Sequence, residues 1–156
     1  MNDDWRILDE TCRMTAAALL PLLTSSSSAV LDDQRAFAID DLIKQGLPIE
    51  VAIKLLDSRE VPPQVRHRML GSSLRTLQRK VAAGTSLSAA EGANLIEAIR
   101  LIDRATEVLG SRTDALAWLV AEIRSLNGRR PIELLESPIG RREVERVLGR
   151  IEHGVY

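Results

Sequence analysis

Hydrophobic positions recur at helical spacing along the whole chain. No run alternates apolar and polar residues with the β-branched enrichment that marks a strand. The pattern predicts an all-α protein. A first amphipathic helix is expected over residues 4–20, with Trp5, Leu8, Cys12, Thr15 and Leu19 along one stripe. Pro21 and the run from Thr24 to Ser28 predict a flexible break after it. A second helix is expected over 32–45, with Phe37, Leu42 and Ile43 facing the core and Gly46 as its left-handed cap. Pro48 suits the first turn of a third helix, through about Asp57, whose apolar set is Val51, Ala52, Leu55 and Leu56.

Pro62-Pro63 opens a short helix to Leu70, Gly71 turns the chain, and Ser72 or Ser73 caps a helix ending near Ala83-Gly84. The segment LSAAE carries a capping box of Ser88 and Glu91, which starts a long helix to Leu109 that Gly110 stops. The next helix is expected from Thr113 or Asp114 to Leu126, ending at Asn127-Gly128. Pro131 starts a short helix through Glu136, and Gly140 starts the last, through about Glu152.

Composition adds little beyond this: 156 residues, 28% charged and 45% hydrophobic, fit a soluble protein of one domain or two small ones. The apolar stretch at residues 16–23 is too short to span a bilayer and is broken by Pro21, so neither a membrane helix nor a signal peptide is expected. Cys12 stands alone, which fits a reducing cytoplasm.

The distribution of charge is more informative. The net charge of −1 hides a segregation: residues 1–58 carry ten acids and five bases, and residues 81–156 carry eleven and ten. Residues 59–80 carry Arg59, Arg66, Arg68, Arg75, Arg79 and Lys80 against Glu60 alone. Such a concentration reads either as a solvated helix face or as a phosphate-binding footprint. The same segment has the proportions of a helix-turn-helix: a short helix, a glycine turn and a second helix. Leu74, Leu77 and Val81 would bury one face of the second helix. The other face, with Ser73 at its start, presents Arg75, Thr76, Gln78, Arg79 and Lys80. Arginine suits guanine edges, glutamine suits adenine, and lysine neutralises phosphate.

Nothing in the sequence calls for catalysis. His67 and His153 lie in different segments, one cysteine offers no zinc-ligand spacing, and there is no glycine-rich phosphate loop. The pairs Asp3-Asp4, Asp32-Asp33 and Asp40-Asp41 are adjacent in sequence, so their side chains diverge. No catalytic residue, metal or cofactor is expected.

The C-terminal segment carries Ala117-Trp118-Leu119, Gly128, Pro131, Leu134-Leu135, Gly140, Val144 and Leu148 to Glu152, then Gly154 and Tyr156. In this spacing it resembles the toxin-binding domain of Xre/MbcA/ParS-type antitoxins, most closely those encoded beside RES-domain toxins. The resemblance extends to Gly46-Leu47-Pro48 and to Arg75–Lys80. It departs at Ser72, since the residue after the turn glycine is usually aliphatic there. A serine gives up burial worth about 1.5–3 kcal/mol.

The apolar residues of this segment, Trp118, Leu119, Leu134, Leu135, Val144, Val147 and Leu148, read first as core. The resemblance implies an antitoxin that obstructs the active site of an NAD-degrading RES toxin and represses its own operon by binding promoter DNA. Toxin contacts are expected from Arg150, Glu152, His153, Val155 and Tyr156, with Arg129, Arg130, Arg141 and Arg142 facing acidic toxin surface. An aromatic at the close of a chain, where polar tails usually fray, is expected to insert into the partner. The implied organisation is an N-terminal helix and linker over 1–30, a DNA-binding region over 31–85 and a toxin-binding domain over 86–156. A homodimer joined partly through the N-terminal helix is expected. The alternatives are a stand-alone helical DNA-binding regulator and an interaction module whose helix-turn-helix has decayed.

Overall fold

Glycine, proline and serine cut the chain into the elements of the computed structural model, which describes residues 33–154. Eight α-helices follow one another there: α1 (Asp33–Gln45), α2 (Ile49–Asp57), α3 (Arg66–Met69), α4 (Leu74–Ala83), α5 (Ala89–Leu109), α6 (Arg112–Val120), α7 (Pro131–Leu134) and α8 (Pro138–Glu152). Short 3-10 turns at Pro63–Val65 and Arg124–Leu126 complete them, and no strand occurs among the described residues. The helix expected over 4–20, the serine-rich break, Val155 and Tyr156 lie outside the described residues.

The helix ends are set by the expected residues. Ser73 accepts from the Thr76 N–H and caps α4, which Gly84 closes in the left-handed conformation. At α5 the capping box is complete: the Ser88 hydroxyl accepts from the Glu91 N–H, and the Glu91 carboxylate accepts from the Ser88 N–H at 2.8 Å. Gly110 then ends the helix at φ 86°.

Helix α5 is the centre of the fold. Its buried residues Leu95, Ile96, Ala98, Ile99, Leu101, Ile102 and Ala105 occupy a wide arc rather than one stripe, so it packs on two sides. The first three helices lie against it from one direction and α6 and α8 from the other. One continuous hydrophobic core, from Leu42 and Leu56 through Leu70 to Leu119, Leu135 and Leu148, therefore runs through the described residues.

Four expectations are corrected. Phe37 is 69% exposed, and Ile39 faces the core in its place, beside the expected Leu42. Leu74 and Val81 are also exposed, leaving Leu77 as the buried residue of α4. The seventh helix expected to run to Leu126 stops at Val120. Beyond it the chain folds back on bonds from the Ile123 N–H to Arg129 and from the Gly128 N–H to Ile123. Asn127 and Gly128, both at positive φ, form the tip of this loop, Asn127 capping the 3-10 turn Arg124–Leu126 rather than α6, and they turn Leu126 into the core under α8. The last helix begins at Pro138, two residues earlier than expected, because Ser137 caps it by accepting from the Gly140 N–H.

Gly140 has a different role from starting a helix. A Cβ there would stand 2.2 Å from the Leu134 carbonyl oxygen, so the absence of a side chain is what lets α8 pack onto the end of α7. Replacing Gly140 with alanine should destabilise the protein by about 1–3 kcal/mol or more, read as a lowered urea midpoint with unchanged slope. A midpoint equal to that of the native chain would show that the contact is dispensable.

Candidate functional site

Helix α4 is rolled about its axis relative to the sequence expectation. Thr76 and Lys80 turn toward the body, while Arg75, Gln78 and Arg79 are exposed together with Leu74 and Val81. Arg75, Thr76, Gln78 and Arg79 line one surface depression. The Ser73 hydroxyl is held by its capping bond and lies 2.9 Å from the Thr76 hydroxyl, so its role here is to start the helix.

Lys80 is placed differently from its expected phosphate role. Its ammonium donates to the Glu91 carboxylate at 2.7 Å and to the Ser86 carbonyl at 3.3 Å, with both charged side chains less than one-fifth exposed. Its spacing from the buried Leu77 already points this way, because residues three apart share a helix face. Burial pushes the Glu91 carboxyl up, but bonds from Lys80 and from the Ser88 N–H and hydroxyl, with the Lys80 charge, hold it below its ordinary value.

The basic segment is largely neutralised in this way. Arg59, 3% exposed, grips both oxygens of Asp103 on α5, at 3.0 and 3.4 Å, and Arg112 donates to the same carboxylate at 3.2 Å. Arg66 pairs with Asp57 at 2.7 Å and donates to the Val61 carbonyl. Arg68 reaches Glu136, beyond α7, at 3.0 Å. Of the six cations in residues 59–80, four are thus held by acids, and Arg75 and Arg79 have no acidic partner among the described residues. Charge segregation in the sequence therefore marks where this segment is bound to its neighbours as well as where it faces outward.

The turn between α3 and α4 is tied to the C-terminal helices. Asn94 donates to the Leu70 carbonyl at 3.4 Å and accepts from Arg141 at 3.2 Å, while Arg141 also donates to the Leu135 carbonyl. Arg141 is thereby an internal brace rather than a surface contact. Sequence reasoning missed Asn94 and Asp103, since a lone polar residue in a helix gives no sign of a partner more than twenty positions away. Gly71 adopts φ 65°, and a Cβ there would meet the Asn94 amide at 2.9 Å. Ser72 is half-buried and its N–H donates to His67, yet its hydroxyl is buried with no hydrogen-bond partner among the described residues. The site is thus the packed position expected beneath the turn.

At the other end of the protein, α8 buries Val144, Val147 and Leu148 against the core and exposes Arg142, Arg150 and His153. Glu152 is tied to Arg104 of α5, which also reaches Glu107. Arg130 approaches Glu122 at 3.7 Å, and Arg129 is exposed. Leu119 and Leu135 are buried, with Trp118 and Leu134 packed against the core, as expected of them. Among the described residues no group of three or more His, Cys, Asp and Glu side chains is placed to hold a metal ion. No helix among them is long and apolar enough to cross a membrane.

The region from the end of α5 through α8 is the one that comparison identifies. Residues 104–154 match the family described as the antitoxin Xre/MbcA/ParS C-terminal toxin-binding domain. The chain is 28% identical to an Antitoxin Xre of Yersinia enterocolitica over 127 residues, covering 81% of this chain and 86% of that protein. It is 25% identical to an Antitoxin Xre of Photorhabdus laumondii, covering 75% and 80%. Helices α6 to α8 thus match an Xre/MbcA/ParS-type toxin-binding domain, and over most of its length the chain is similar to proteins named Antitoxin Xre.

The Lys80–Glu91–Ser88 junction makes a pH prediction. A carboxylate whose pKa is depressed on folding contributes stability that is fully present above its unfolded value, near 4.5, and is lost as pH falls toward the lower folded value. Glu91→Gln should reduce stability at pH 7 by about 1 kcal/mol, through the weakened capping box and lost ion pair. The difference from the native chain should shrink as pH falls below 4.5. Equal destabilisation at pH 7 and pH 3, measured by urea unfolding, would exclude the assigned bonds as the cause.

Proposed function

We propose that the chain neutralises a RES-type, NAD-degrading toxin by obstructing its active site, and represses its own operon by binding promoter DNA as a homodimer in the cytoplasm. The observation that carries the first part is the match of residues 104–154 to a toxin-binding domain, joined to the likeness of the C-terminal residues to antitoxins encoded beside RES toxins. Arg150 and His153 are exposed at the end of α8, where the chain continues into Val155 and Tyr156. A tyrosine ring offers large contact area at small entropic cost and keeps a polar handle, which suits a plug for a cofactor cleft.

DNA binding rests on what remains after internal pairing. Arg75 and Arg79 share one exposed helix face with Gln78, starting at the capped N-terminus of α4, where backbone N–H groups and the helix dipole also favour phosphate. This surface has the residue types that read base edges, whereas Lys80 belongs to the fold. The binding unit is residues 31–85, the toxin-binding unit 86–156, with residues 1–30 contributing to a dimer. Paired half-sites suit so small a surface. A helical regulator that binds DNA without a toxin is disfavoured by the family match.

Replacing Arg75 and Arg79 with alanine should abolish retardation of the operon's own promoter, at a loss of about 1–3 kcal/mol per base contact, with helix content and thermal midpoint unchanged. Retardation equal to the native protein would place the recognition surface elsewhere. Deleting Val155 and Tyr156 should leave the fold and promoter binding intact and the toxin still bound, while co-expressed toxin depletes NAD and arrests growth. Full protection by the truncated chain, at normal expression, would assign inhibition to α8 itself.

A further inference from the structure

Gly149 is the unexplained residue of α8. It lies inside the helix at ordinary helical φ, three residues before the end. Glycine is the least favourable residue for a helix interior after proline, so a fold that does not need it would be more stable with alanine. Gly140, in the same helix, has its reason in the Leu134 carbonyl. Gly149 has none: a Cβ built there meets nothing within 4 Å. It lies opposite the face that buries Val144, Val147 and Leu148.

The residues around Gly149 form a regular outward seam. Ile139, Arg142, Arg146, Gly149 and His153 follow one another at spacings of three and four, the repeat that keeps side chains on one stripe of a helix. Ile139 is 74% exposed, the most exposed large hydrophobic residue among those described, and Arg142, Arg146 and His153 are exposed too. Arg146 is held by Glu143 within the helix, while Arg142 has no acidic partner among the described residues. An exposed isoleucine, two arginines and a bare patch of backbone thus lie in line on the toxin-binding domain.

We propose that this seam is the face on which the toxin seats, with Gly149 as the point of closest approach. The proposal rests on the toxin reading above and adds the surface. The partner it fits has acidic groups opposite Arg142 and Arg146, an apolar contact for Ile139, and a ridge of backbone or a flat side chain against Gly149. Packing among the described residues explains neither the missing side chain nor the exposed Ile139, and close approach by the domain's partner explains both. Glu152 is not part of this surface, since Arg104 holds it.

The test uses the full-length chain and the RES-domain protein of the adjacent reading frame, with affinity measured by calorimetry and thermal midpoints recorded separately. Gly149→Ala should raise the midpoint of the free antitoxin yet weaken toxin binding tenfold or more, and Gly149→Leu should abolish binding with helix content retained. Arg142→Glu should weaken binding as well, with an effect that fades as salt is raised. A raised midpoint with affinity within twofold of the native chain would overturn the proposal. So would a change confined to the antitoxin's own oligomeric mass, which would assign the seam to a second copy. Absence of binding by the native chain would instead overturn the RES reading beneath it.

Discussion

The packing of the described residues depends on one helix being buried from two directions. The sequence of α5 places apolar residues around so much of its circumference that it is stable only when covered by the helices before it and those after it. Both sets share one run of core residues with it, from Leu42 to Leu148. The boundary proposed at residues 85 and 86 is accordingly not a division of packing among the described residues. The toxin-binding match itself begins at residue 104, inside this helix.

The polar contacts repeat the same arrangement. Asp103, Glu91 and Asn94 all lie on α5, and each is met by a group from the segment between α2 and α5: Arg59, Lys80 and the Leu70 carbonyl. Asp103 and Asn94 are met again from the C-terminal side, by Arg112 and Arg141. A buried arginine such as Arg59 is tolerable only with its charge and donors satisfied, so these pairs fix the register of neighbouring helices. They also orient α4, because the Lys80–Glu91 contact draws one flank of that helix inward and leaves the Arg75 and Arg79 flank outside.

Much of this was legible in the sequence because it follows from local rules. The all-α class, the caps at Ser73 and Ser88, the terminators Gly84 and Gly110 and most of the C-terminal core depend on residues within a few positions of each other. Two of the misses depended on neighbours or folding-back beyond a helix turn. The spacing of Leu74, Leu77 and Val81 predicts a buried stripe, but which side of a short helix is covered is decided by Lys80 meeting a carboxylate eleven residues away. Leu126 has helical spacing from Leu119, yet it reaches the core only because Asn127 and Gly128 fold the chain back. Phe37, the largest apolar residue of α1, is outward while the smaller Ile39 is inward, and nothing in the described packing explains its exposure. On the surfaces assigned to partners, sequence pattern supplied the residue types, and geometry removed Lys80 and Arg141 from among those available.

The internal neutralisation of the basic segment also bears on how such a protein would respond to ionic strength. Affinity for DNA falls with salt according to the number of phosphates neutralised, with a logarithmic slope of about −0.9 for each. Six cations acting together would give a slope near −5 per chain, and the two left outward on α4 give one near −2. On the proposed DNA-binding reading, a surface of the second kind would lose less affinity as salt rises. It would also gain less from DNA of arbitrary sequence, since four of the six cations are engaged in holding the fold.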